Sequence, residues 1–252
     1  MARSPSGESL IERVVRILEA FDPDTPSLTV GELAARAGLP GSTTSRLVDQ
    51  LVSHGLLRRD PSGGVRIGVR LWELGARASP TLALREVAMP FMEDLQHIVG
   101  HHTQLGVREG TEVLFIERLS TRHAVINVTK VAGRLPLHAS SAGQVLLAHA
   151  PASVRESVLA GPLRSYTDTT ITDAGTLRKV LAEIRRQDFA LCPGAIDPSA
   201  TGIAVPVRDP RGRVIASLAL VVPNDGNAHA HVPVLRTAAR GLERTLHRPR
   251  PV

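Results

Sequence analysis

Cysteine occurs once in the 252 residues, at Cys192, so no disulfide can close within the chain and a reducing cytoplasm is the expected compartment. Aromatic residues are scarce, with four Phe, one Tyr and one Trp. That argues against the stacked aromatic platform on which proteins hold single-stranded nucleic acid. The most apolar run, 214–222, is far too short to span a bilayer as a helix, so no membrane is expected among the partners. The first fifteen residues, MARSPSGESLIERVV, lack the apolar stretch of a secretory signal.

What is present is a globular composition, 42% hydrophobic and 21% charged, enough for two modest domains with cores of their own. The formal charge of +6 needs to be placed before it is used. Residues 1–79 hold ten basic and nine acidic side chains, whereas the stretch from Arg236 onward holds five Arg against Glu243 alone. Net charge is therefore a poor argument for nucleic acid here, and local placement decides.

Residues 9–21, SLIERVVRILEAF, space Leu10, Val14, Ile17, Leu18 and Phe21 as one helical face behind a capping box at Ser9 and Glu12. A second capping box, Thr29 with Glu32, opens a short helix that Gly38 can stop in the left-handed conformation. Pro40 then presets a third helix, with Thr44, Leu47, Val48 and Leu51 on its apolar face and Ser42, Thr43, Ser45 and Arg46 opposite. Two short helices across a tight turn form a helix-turn-helix, whose second helix enters the major groove. Small hydroxyls allow close approach to phosphate, and an arginine can fork onto guanine. Taken alone, the same polar face is equally an ordinary solvated surface.

Strand-like runs at 56–59 and 65–69 flank the turn Asp60-Pro61-Ser62-Gly63-Gly64, a hairpin placed where a wing would be. Arg58, Arg59, Arg66 and Arg70 against Asp60 give it a local charge of +3, suited to phosphate. The segments SLIERVVRILEAF, LTVGELAARAGLPGSTTSRLVDQLVSHGLLRRD, VRIGVRLWELG and LPLHASSAGQVLLA together resemble the IclR family of bacterial transcriptional regulators, over nearly the whole chain. The chain departs from that pattern at Gly41, where Lys or Asn is common, and at Thr44, where Val is common.

Leu71, Trp72 and Leu74 of VRLWELGARAS are expected to pack back on the winged domain, and a second helical run, 81–99, to pack on a partner or the second domain, with a kink at Pro90. From residue 102 the period changes to that of strands, at HTQLGVREG, TEVLFIERLS and AVINVTKV. Helices near 142–148, 152–159 and 174–187, strands near 189–192, 203–208 and 214–222, and a helix near 233–247 follow. The fold class is thus α+β, a winged helix-turn-helix joined by a helical linker to a mainly antiparallel α/β domain. The resemblance implies that this second domain is a GAF-like sensor and that the linker helps to build a dimer. The expected divisions are 1–70, 71–99 and 100–252. The expected partners are a double-stranded DNA operator, a small-molecule effector and further copies of the chain as homodimer or homotetramer.

The loop from His138 through Ser140, Ser141, Ala142 and Gly143 runs into a helix start, where backbone N–H groups favour an anion. An ordinary Ser-capped helix reads the same way, and the resemblance makes the loop the candidate effector wall. The family's pattern for small keto acids places an Asp, a Cys and two Ser on three strands. In this chain those places fall on Cys192, Gly202, Ala219 and Val221, all less polar. Alternation puts Ser217, Ala219 and Val221 on one sheet face. A roomier, more apolar pocket for an aromatic or otherwise hydrophobic carboxylate follows. Cys192 or Ser140 with His138 lacks an orienting acid for catalysis, so no catalytic residue is assigned. His97, His101, His102, His229 and His231 lack a completing ligand set, so no metal or cofactor is assigned. The competing reading is a winged module that binds protein, or a second domain that holds a dimer and senses nothing.

Overall fold

The computed structural model describes residues 8–22, 25–77, 79–121, 124 and 129–247. The chain divides into two compact units, Met1–Pro80 and Thr81–Val252.

In the first unit, helices α1 (Leu10–Glu19) and α2 (Val30–Ala37) both begin at complete capping boxes, Ser9 with Glu12 and Thr29 with Glu32. Gly38 closes α2 at φ +60°, and α3 (Gly41–Ser53) starts three residues later behind Pro40. Arg16 of α1 bonds the Gly38 carbonyl at 3.0 Å and also that of Ala37, so a cation satisfies the C-terminal carbonyls of α2. Ile17, Leu33, Leu47, Val48 and Leu51 share one buried core with Leu57 and Val65 of the hairpin β1 (Leu57–Arg59) and β2 (Val65–Ile67). A feature with no sequence signal completes this unit. Leu28 pairs with Val65 through two backbone hydrogen bonds of 3.0 and 2.7 Å, tying the approach to α2 onto the wing.

Helix α4 (Val69–Ala76) forms as expected, but its packing does not. No residue of α4 is buried, and Trp72 and Leu74 are 68% and 45% exposed. Eight residues starting at a tight turn after the wing are too short to bring that face back over the small core.

The second unit is a six-stranded antiparallel sheet. Its strands are β3 (His102–Glu109), β4 (Glu112–Leu119), β5 (Arg134–Pro136), β6 (Ala190–Pro193), β7 (Ala200–Arg208) and β8 (Val214–Pro223), in the spatial order β5-β4-β3-β8-β7-β6. The expected strand at AVINVTKV falls largely outside the described residues, and the strand that follows β4 is β5. Alternation divides the sheet cleanly. Leu105, Ile203, Val205, Leu218 and Leu220 face α5 (Pro80–Val99) and α9 (Val232–Leu246). Val113, Phe115, Ala204 and Ala219 face α6 (Ser141–Ala148) and α8 (Ala174–Gln187), with α7 (Ala152–Ala160) beside them. Helix α5 runs unbroken through Pro90, whose missing N–H lies on an exposed position. It buries Leu84, Ala88, Met92 and Leu95 on the sheet, and Arg85 pairs with the buried Glu117 at 2.5 Å. Segment 71–99 is therefore shared, α4 lying in the first unit and α5 on the sheet of the second.

Candidate DNA interface and effector cavity

On α3 the buried positions are Thr44, Leu47, Val48 and Leu51. The Thr44 hydroxyl is satisfied by donating to the Pro40 carbonyl at 3.1 Å. Ser42 and Arg46 are exposed, Thr43 and Ser45 half-buried, and Arg46 carries no ion pair among the described residues. Ser42, Ser45 and Arg46 line an open groove together with Asp49, Gln50 and Ser53. Gln50 escaped the sequence reading although it stands one helical turn beyond Arg46. Its amide is a further group able to read a base edge.

The wing departs from the expected surplus of positive charge. Arg59 bonds Asp49 of α3 at 2.8 Å, and Arg66 bonds Asp60 at 3.0 Å. Arg58, directly opposite Arg66 in the ladder, has no ion-pair partner among the described residues. The turn is organised by Asp60. Its carboxylate accepts from the Ser27 and Ser62 hydroxyls, both at 2.6 Å, and from the Gly64 N–H at 2.9 Å. These donors, Ser27 and Ser62 foremost, hold its pKa well below the usual carboxylate range.

In the second unit, sheet, α6 and the loop 195–200 bound a small cavity of about 50 Å³. Ser140, Ser141 and Ala142 form one wall, and Cys192, Gly202 and Val221 lie on the sheet side. Ser140 caps α6 by accepting from Gly143 N–H at 3.1 Å, while the N–H groups of Ser141 and Ala142 have no partner among the described residues. Among the described residues no Arg, Lys or His lines the cavity. The feature there that favours an anion is the N-terminus of α6.

Four of the expected effector residues are elsewhere. His138 is a strut behind the wall, its Nε2 on the Arg164 carbonyl at 3.0 Å and its own carbonyl held by Gln144 Nε2 at 2.9 Å. At Gly143 a Cβ would lie 2.6 Å from the Leu137 carbonyl oxygen, so this glycine serves the close approach of loop and helix. Ser217 bonds the Gly106 carbonyl at 3.4 Å, and Ala219 lies in the core under α6. Gly202 does line the cavity, but the room expected there is taken. A Cβ at 202 would sit 2.7 Å from Ser141 Oγ.

Residues missed from the sequence complete the site: Gln104, Phe115, Thr129 and Leu135 at one end, and Ala195, Ile196, Asp197 and Ala200 on the rim. The strand alternation that puts Phe115 and Ala219 on the α6 face also puts Gln104 there. The rim is pinned by successive hydroxyls. Thr169, Thr167 and Thr170 donate to the carbonyls of Pro193, Gly194 and Ala195 at 3.1, 2.7 and 2.6 Å. Asp197 turns to its own loop, accepting from the N–H and hydroxyl of Ser199 at 2.8 and 2.6 Å, bonds that lower its pKa. Burial pushes the Cys192 thiol up to about 12. It is a neutral wall rather than a nucleophile. Among the described residues no three of His, Cys, Asp and Glu are placed to hold a metal ion, and no helix is long and apolar enough to cross a membrane.

A winged helix-turn-helix followed by an antiparallel α/β unit with a cavity at a helix N-terminus defines the class, a two-part DNA-binding transcriptional regulator. Residues 10–61 match the IclR helix-turn-helix domain, and residues 77–244 match the family described as bacterial transcriptional regulator IclR C-terminal. The chain belongs to the IclR family. It is 30% identical over 212 residues to the HTH-type transcriptional regulator XynR of Escherichia coli K12, covering 83% of this chain and 84% of that protein. With the HTH-type transcriptional repressor AllR of the same strain it is 29% identical, over 86% of this chain and 81% of that one. These relatives are regulators, not enzymes. Among solved structures, an IclR homolog from Microbacterium hydrocarbonoxydans, complexed with 4-hydroxybenzoate, is 50% identical, with a TM-score of 0.91 over 94% of this chain and 99% of that one.

Proposed function

We propose that the chain is a ligand-controlled transcription factor whose sheet unit binds a hydrophobic or aromatic carboxylate, and whose winged units grip duplex DNA as a two-fold pair. The observation that carries the effector class is the cavity wall. It is apolar where Cys192, Gly202 and Val221 stand, has no cationic side chain, and offers unpaired N–H groups at Ser141 and Ala142. A carboxylate meets those N–H groups and the helix dipole, and its hydrophobic body meets Phe115, Leu135 and Ile196. A two- or three-carbon keto acid has no hydrophobic body to meet that apolar wall. The complex of the Microbacterium relative with 4-hydroxybenzoate supports the same class.

On the DNA side, Ser42, Thr43, Ser45 and Arg46 take the major groove, and Arg58, with Arg59 and Arg66 once loosened from their carboxylates, meets phosphate. A single winged helix reads few base pairs, and a two-fold pair adds a second half-site. The exposed Val69, Trp72 and Leu74 of α4 supply apolar surface for such pairing. Titration calorimetry of the full chain with benzoates, glyoxylate and pyruvate tests the effector. Binding of glyoxylate with no response to aromatic acids overturns it.

A further inference from the structure

One acid stands on the surface that α3 offers to DNA. Of the residues lining its open groove, Ser42, Ser45, Arg46, Asp49, Gln50 and Ser53, only Asp49 carries a negative charge. Phosphates repel such a charge. Folding gives it little reason to be there. Asp49 lies eight residues beyond Gly41, where α3 begins, too far along to cap the helix or to meet the favourable end of its dipole. Its pair with Arg59 is open to solvent, with 61% of the Asp49 side chain exposed, and exposed pairs add little stability. That pair uses one carboxylate oxygen. Arg59 Nη2 donates to Oδ1 at 2.8 Å, and Oδ2 accepts no bond among the described residues. The guanidinium thus offsets the charge and leaves an acceptor on the groove.

In the major groove a carboxylate oxygen finds one matching base edge. Cytosine presents only its N4 amino donor there, whereas guanine and thymine present acceptors and adenine sets its N7 acceptor beside its N6 donor. We infer that Asp49 is a base-reading residue that selects a C·G pair, its Oδ2 accepting from cytosine N4. Three residues separate it from Arg46, about 4.5 Å along the helix axis, so the pair it reads lies within about two base pairs of the Arg46 contact. The same carboxylate acts against other sequences, because an acceptor edge in that place leaves it facing only repulsion. The inference rests on the reading that α3 enters the major groove, and names a base that the groove must hold.

Selection of duplexes from a randomised library by the full chain, by Asp49→Asn and by Asp49→Ala tests this, followed by titration of each protein with the selected site and with random duplex. The site chosen by the unaltered chain is expected to hold a C·G pair that Asp49→Ala leaves degenerate. Asp49→Asn should move the preference at that pair from cytosine to adenine, because an Asn amide matches the N6 and N7 edge of adenine. Asp49→Ala should also lower the preference for the selected site over random duplex about tenfold, while random duplex binds more tightly once the repelling charge is gone. A carboxylate that only tethers the wing would give the opposite sign on random duplex. An Asp49→Ala protein that loses affinity for selected and random duplex alike therefore overturns the inference. So does selection of the same base at every position by all three proteins, which leaves α3 in the groove without Asp49 as a reader. If the unaltered chain selects no sequence over random duplex, the groove reading itself is overturned and this inference falls with it.

Discussion

Arg46 and Arg59 are exposed arginines on the same small unit, yet their electrostatic situations differ. Arg59 already has a carboxylate at 2.8 Å, whereas Arg46 has none among the described residues and stands on the groove face of α3 between Ser42 and Gln50. A phosphate must compete with Asp49 for Arg59, but a base edge meets Arg46 unopposed. Arg46→Ala is therefore expected to cost roughly 1–3 kcal/mol at the operator if its contact is bidentate to a base. Arg58→Ala should instead weaken binding to all sequences alike and reduce the salt slope by about one. Mobility-shift titrations at several salt concentrations separate the two, and equal losses on operator and random DNA for Arg46→Ala would remove it from base reading. Cys192 gives a second residue-level expectation. A thiol whose pKa burial has raised to about 12 is protonated at neutral pH, so a thiol reagent should label the native protein slowly and the unfolded chain at once. Fast native labelling at pH 8 would contradict its placement in the wall.

The wing is an element whose stability rests on one side chain. Asp60 gathers hydroxyl, backbone and guanidinium donors, from Ser27, Ser62, Gly64 and Arg66. A carboxyl whose folded pKa is depressed contributes its stabilisation in full above about pH 4, the range of the unfolded group, and loses it as pH falls from there toward the folded value. Asp60→Ala should thus lower the melting temperature of the winged unit at pH 7, and progressively less as pH falls below about 4, where the unfolded chain takes up the proton and the linkage contribution shrinks. An equal loss at every pH would assign the effect to packing. Much of this element was legible, since capping boxes, Gly38 and the turn at 60–64 are local chemistry written in consecutive residues. What was not legible depends on partners distant in sequence. Arg59 meets an acid ten residues away, Leu28 meets the wing, and Trp72 finds no core to enter. In the second unit, the loop 138–143 was singled out by the family resemblance, since its own residues read equally as an ordinary Ser-capped helix. Gln104, Thr129 and the rim at 195–200 reach the cavity only through the order of strands, and nothing local distinguishes His138 as a strut from His138 as a wall.

At the scale of the molecule, the buried residues fall into separate sets. The winged unit's core draws on residues from Ile17 to Val65, and the two faces of the sheet draw on residues from Leu84 onward. Cores that share no residue allow each unit to melt with its own free energy, so two-state treatment of the whole chain is not warranted. Scanning calorimetry should then show two transitions. An effector binding only the folded sensor raises that unit's stability by about 2.7 kcal/mol at a hundredfold excess over its Kd, and operator DNA does the same for the winged unit. The informative quantity is the cross effect. Effector can change DNA affinity only by preferring one of two states that differ at the DNA-binding end, and the change is reciprocal. The connection available is segment 71–99, where Arg85, bonded to Glu117, and the buried Leu84 hold α5 on the sheet. Arg85→Met should therefore leave each ligand's own stabilisation in place while shrinking the shift that effector produces in operator affinity. An undiminished shift in that variant would mean that the signal reaches the DNA-binding unit without the Arg85 pair.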